Sequence, residues 1–76
     1  MKYIEELSAG ETFLSDNIMY LLSTDFKKNG SRLGFSLNSG FAKWFESDKI
    51  IEPQSIYFLD ANNNIIPIKE TPKNDL

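Results

Sequence analysis

The chain has 76 residues, no cysteine and no histidine, and its eleven acids against eight bases give a net charge of −3. Disulfide frameworks, thiolate zinc sites and cysteine nucleophiles are thereby excluded, and the commonest general base and metal ligand is missing. A chain this short buries only ~60% of the surface its unfolded form exposes. That suits one small domain over residues 1–76, without room for a deep cleft. At 41% hydrophobic and 13% aromatic residues it reads as globular rather than disordered.

Residues 3–7 read as a short helical turn. Leu7-x-x-Gly10-x-x-Phe13 then suits a turn feeding a first strand over 11–15, with Gly10 in a conformation costly for other residues. Asp16-Asn17 is a turn signal. A second strand over 18–27 alternates, with Ile18, Tyr20, Leu22, Thr24 and Phe26 on one face. Asn29-Gly30 is the strongest hairpin signal in the chain and predicts a type I′ turn. A third strand over 32–38 places Leu33, Phe35 and Leu37 on one side and Arg32, Gly34, Ser36 and Asn38 on the other.

Asn38-Ser39-Gly40 predicts a second turn. A fourth strand over 41–46 sets Ala42, Trp44 and Glu46 opposite Phe41, Lys43 and Phe45. Ile50-Ile51-Glu52-Pro53 reads as a short connection that Pro53 ends. A fifth strand over 55–59, a polar turn over 60–64 and a sixth strand over 65–69 follow, the last an edge strand because Pro67 cannot donate to a ladder. Residues 70–76 read as a frayed tail, leaving an ordered core of about 3–69. The expected fold is all-β: a small SH3-like barrel or a strongly curved antiparallel sheet of five to six short strands.

No stretch approaches the ~20 apolar residues of a membrane span, and the N-terminus lacks a signal-peptide apolar run. A soluble, cytoplasmic protein with no membrane partner is expected. A small domain without disulfides or metal also needs other support, and a homo-oligomer supplies it.

The charge is unevenly spread. Between Phe26 and Phe45 lie Lys27, Lys28, Arg32 and Lys43 and no acid, while the remainder carries four cations and eleven acids. A basic patch on an acidic body suits a small anionic ligand, and the bulk charge disfavours long nucleic acid. With Leu33, Phe35 and Leu37 inward, Arg32, Ser36 and Asn38 face outward and Trp44 projects from the same side. The indole would stack a base, Arg32 would pair a phosphate and Asn38 would read a base edge or ribose. Lys27, Asn29 and Lys43 are further contacts. The competing reading places Trp44 in a second core or a subunit interface.

Other chemistry has little support. Asp60-x-Asn62-x-Asn64 imitates the start of a calcium loop, but Ile65 and Thr71 stand where the motif needs glycine and glutamate, so a hairpin turn is expected. A serine nucleophile lacks a histidine base. Asp25, Glu46 and Asp48 read as solvated or turn-capping acids. No glycine-rich phosphate loop opens a helix. A non-enzyme without cofactor is expected.

The segments Thr24–Leu33, Phe41-Ala42-Lys43-Trp44-Phe45, Ile56-Tyr57-Phe58-Leu59-Asp60 and Asn64-Ile65-Ile66-Pro67-Ile68 together resemble very short β-rich proteins of tailed bacteriophages. The resemblance extends to the sponge group that counters host CBASS immunity. It implies a viral immune-evasion protein that binds a cyclic oligonucleotide signal and sequesters it without hydrolysis, in the cytoplasm of an infected bacterium. A site shared between subunits would offset the modest positive charge of one chain. The alternatives are an SH3-like module that binds a host protein and, third, a single-stranded nucleic-acid binder.

Overall fold

A computed structural model describes residues 1–67. Among the described residues the protein is all-β apart from one 3-10 turn, Ile4–Glu6. A six-stranded antiparallel sheet is built from β1 (Lys2–Tyr3), β2 (Thr12–Ser15), β3 (Ile18–Phe26), β4 (Arg32–Ser36), β5 (Ala42–Phe45) and β6 (Ile50–Gln54). β7 (Tyr57–Leu59) and β8 (Ile65–Pro67) form a separate two-stranded hairpin. β2 to β5 run as a meander, β6 returns beside β2, and β1 closes onto β6, giving the order β1-β6-β2-β3-β4-β5. The sheet does not join its two edges, so the curved-sheet expectation holds and the closed barrel does not.

Curvature follows from the aromatic side chains. β2 and β5 are three strand positions apart, ~14 Å in a flat sheet. Yet the rings of Phe13 on β2 and Phe45 on β5 meet edge-on with centroids 5.2 Å apart. Tyr20 on β3 stacks on Phe13 at 5.4 Å and meets Phe45 edge-on at 4.9 Å. The sheet therefore curls around these three rings. Ile4, Leu7, Leu22 and Ile51 complete the buried cluster on this concave side. The 3-10 turn is held by the Tyr3 N–H donating to Glu6 Oε2 at 3.0 Å and the Ile4 N–H to the Lys49 carbonyl at 2.9 Å.

Gly34 lies under the ring cluster. A Cβ there would stand 3.0 Å from Phe45 Cε2 and 3.3 Å from Phe13 Cζ. Gly10 adopts φ 90° and its N–H donates to the Leu22 carbonyl, as its place in the sequence requires.

Three expectations change. The turn after β3 is not type I′: Gly30 has φ 92°, Asn29 is not in the left-handed region, and the Gly30 N–H donates to the Lys27 carbonyl. The two-residue turn with both φ positive is instead Asp16-Asn17, at 51° and 65°, between the paired residues Ser15 and Ile18. Residues 50–53 are not a connection but most of β6, which pairs with both β2 and β1. Proline is tolerated there because β1 reaches only Ile50 and Ile51, leaving an open edge at Pro53. The final hairpin forms, with its first strand confined to Tyr57–Leu59 rather than 55–59. Residues 68 and 69 of the expected sixth strand, and the expected tail, lie outside the described residues.

Candidate functional site

The register assigns each candidate residue to a face. On β4, Gly34 pairs with Leu22 and Ser36 with Tyr20, both core residues. Arg32, Gly34 and Ser36 therefore occupy the concave side, and Leu33 and Phe35 the convex one. Across the next ladder Arg32 pairs with Phe45 and Leu33 with Trp44. The expected shared face for Arg32 and Trp44 is overturned: they project from opposite sides of the sheet. Ser36 does not face outward either. It is buried, and its Oγ accepts the N–H groups of Asn38 and Ser39 at 3.2 and 3.3 Å, holding the turn into β5.

Arg32 sits at the rim of the concave side. Its Nη1 donates to the Leu7 carbonyl at 3.2 Å, tying β4 to the N-terminal segment. With Ala9, Thr24, Phe26 and Gly30 it lines an open depression of about 440 Å³. Phe26, directly opposite Arg32 in the β3–β4 ladder, is 70% exposed and offers a free ring. The irregular register between Leu22 and Phe26 opens this end of the sheet. The lining thus combines a guanidinium, an aromatic ring and a hydroxyl. Such a lining can hold a planar anion, the guanidinium by paired hydrogen bonds and the ring by stacking.

The remaining candidates divide. Lys27 and Trp44 come together: Lys27 Nζ lies 4.6 Å from the indole centroid, a cation–π contact. Lys43 Nζ lies 5.3 Å from the Phe45 ring centroid, on the concave side with Arg32. Asn29 serves its own turn, its Oδ1 accepting the Ser31 N–H at 3.0 Å. Asn38 is exposed at the turn before β5, away from the Arg32 depression.

Thr24, Phe26, Ala9 and Gly30 are partners of Arg32 that the sequence reading did not single out. The same-face alternation of Thr24 and Phe26 was visible, but without the register nothing placed them beside Arg32.

Asp60 works as a turn residue. Its Oδ1 accepts the N–H groups of Asn62 and Asn64 at 2.8 and 2.9 Å, and its Oδ2 accepts Asn64 Nδ2 at 3.2 Å. The backbone hydrogen bond from Asn64 chiefly holds this exposed carboxyl below its ordinary value of 3.8; desolvation opposes it, and the Asn62 backbone and Asn64 side chain add to the lowering. Among the described residues no cluster of three or more acidic side chains could hold a metal ion. No helix among them is long and apolar enough to cross a membrane.

The convex side is also apolar. The pairs Leu14–Met19, Leu21–Phe35 and Leu33–Trp44 cross it from β2 to β5. Leu33 is only 9% exposed yet lies outside the core cluster, while Trp44 beside it is 41% exposed. Comparison with protein-family models, curated proteins and solved structures finds no match.

Proposed function

We propose that this protein is a non-catalytic binder that sequesters a small planar phosphodiester, of the cyclic oligonucleotide class, at the depression around Arg32. The observation that carries the reading is the lining itself: one guanidinium, one free aromatic ring and one hydroxyl, with no carboxylate to repel a phosphate or act as a base. Its volume of about 440 Å³ falls in the range of small-molecule sites. Arg32 spends one of its five N–H donors on the Leu7 carbonyl and keeps others for a phosphate. One guanidinium per chain suits one phosphate, so a two-phosphate ligand would engage two copies. The biological role proposed is viral immune evasion: removal of a CBASS signal without hydrolysis in an infected bacterium.

Trp44 has no part in this binding, because it lies on the other face. The test is native mass spectrometry and titration calorimetry with a panel of cyclic di- and trinucleotides. Intact ligand should bind the native chain. Arg32→Ala should weaken it about tenfold or more, as expected for loss of a charge-assisted hydrogen bond, and Trp44→Ala should not. Failure of the native chain to bind any member of the panel, or equal binding by Arg32→Ala, overturns the reading. The apolar convex side would then favour the alternative of a protein-docking module.

A further inference from the structure

Two apolar surfaces lack a cover among the described residues. One is the convex side of the large sheet, where Phe35, Trp44 and Leu37 are 38 to 46% exposed around Leu33. The other is the β7–β8 hairpin, whose Tyr57, Phe58, Leu59 and Ile65 are 51 to 62% exposed. Successive residues of a strand point to opposite faces. Tyr57 and Leu59 therefore project from one face of the hairpin and Phe58 from the other, so both faces are apolar. β7 and β8 pack chiefly against each other. A two-stranded hairpin alone in water is marginal at best, and this one follows β6 after only Ser55 and Ile56.

We infer that the chain forms a symmetric dimer in which the β7–β8 hairpin of each copy lies on the convex sheet face of the other. Three features of the molecule fit a second copy as the occupant. The first is area. An aromatic side chain presents ~150–250 Å². At the exposures above, Phe35, Trp44 and Leu37 with the Tyr57, Leu59 and Ile65 face of the hairpin offer on the order of 600 Å² per chain. Stable interfaces bury ~600–1,000 Å² per partner, so this area reaches the lower end of that range. The second is extent. Three-residue strands give a hairpin ~10 Å long, which fits within the ~14 Å that separates β2 from β5 before curvature. The third is charge. Lys27 stands over Trp44 at one end of the convex face, and Asp60 lies at the hairpin tip, so the tip carboxylate has a cation to meet there. Two-fold symmetry makes each contact occur twice and covers one face of each hairpin. The radius of gyration, 13.6 Å, exceeds the ~11 Å of a compact chain this long, in keeping with an arm that extends from the body.

This inference does not depend on nucleotide binding. It is tested by sedimentation equilibrium on the full chain across a concentration series. The native chain should sediment at twice its 8.7 kDa mass. Leu59→Glu on the hairpin and Phe35→Glu on the convex face lie outside the core, and each should weaken association about 30-fold or more, as loss of a central anchor does. Near-ultraviolet circular dichroism should show both variants folded. Mixing the two should restore a heterodimer through the one intact arm-on-face contact. A native chain that stays monomeric at every concentration overturns the inference. So does a dimer indifferent to both substitutions, or a pair of folded monomeric variants whose mixture fails to associate, since that pattern belongs to face-to-face packing.

Discussion

Gly34 and Phe45 meet on adjacent strands at a separation tighter than a side chain normally tolerates: a Cβ on Gly34 would lie 3.0 Å from Phe45 Cε2. The absence of a side chain lets the Phe13 and Phe45 rings close over β4, and the sheet curls because they do. Gly34→Ala should destabilise the fold by about 1–3 kcal/mol, the usual cost of overpacking. Urea titration should show a lower midpoint with an unchanged slope. An unchanged midpoint would mean that the rings yield freely.

Neighbouring aromatics on β5 should behave oppositely. Phe45→Ala opens a cavity in the core and should cost about 3–5 kcal/mol. Trp44→Ala removes a half-exposed ring from the other face and should cost well under half of that in the monomeric state. Thermal or chemical denaturation of the two variants side by side checks this. Equal losses would place Trp44 in the core.

Ser15 carries a buried hydroxyl with no hydrogen-bond partner. Retaining an unsatisfied buried polar group costs about 1–3 kcal/mol. Ser15→Ala should therefore leave stability unchanged or raise it by about 1 kcal/mol, read as an upward shift of the urea midpoint. A clear loss would show that the hydroxyl has a partner after all.

Asp16 and Asn17 hold a two-residue turn at φ 51° and 65°. Asparagine tolerates this region and glycine adopts it freely, whereas a β-branched residue is strained there. Asn17→Gly should be neutral or stabilising, and Asn17→Val should cost on the order of 1–3 kcal/mol. Comparison of melting temperatures decides it. Equal melting points would remove the turn from any role in setting the β2–β3 register.

Asp60 gives the hairpin a pH dependence of defined sign. Its folded pKa is depressed below 3.8, so its contribution to hairpin order is present above that value and is lost as pH falls through the folded one. Amide hydrogen exchange at Asn62 and Asn64 should lose protection in that acid range. Asp60→Asn should reduce protection near neutral pH and abolish the acid transition. Protection that is flat with pH in the native chain would mean the carboxylate does not hold the turn.

Most of the strands were legible because the alternation in β3, β4 and β5 is clean and the turn residues fall between them. The faces of β4 and β5 were not. A type I′ turn at Asn29-Gly30 would pair Lys28 with Ser31 and Phe26 with Leu33, turning Leu33 and Phe35 toward Tyr20 and Leu22. The observed pairing sets Phe26 against Arg32. That single-residue change in register sends every β4 side chain to the other face, and it separates Arg32 from Trp44. Hydrophobicity along β4 points the wrong way, since Leu33 and Phe35 are more apolar than Gly34 and Ser36. The deciding constraint is three-dimensional: a Cβ at position 34 would crowd the Phe45 and Phe13 rings contributed by two other strands. Pro53 misled in a different manner, because a missing N–H marks a strand edge as readily as a strand end.

The curl of the sheet has one more consequence. All three rings and the aliphatic residues around them lie on the concave side, so the convex side contributes little to specifying the fold. Substitutions at Phe35, Trp44 or Leu37 can change what that surface recognises while the chain keeps its shape. A lineage carrying this scaffold is thus free to diversify one side under selection, while the other side, with Gly34 at its centre, stays fixed.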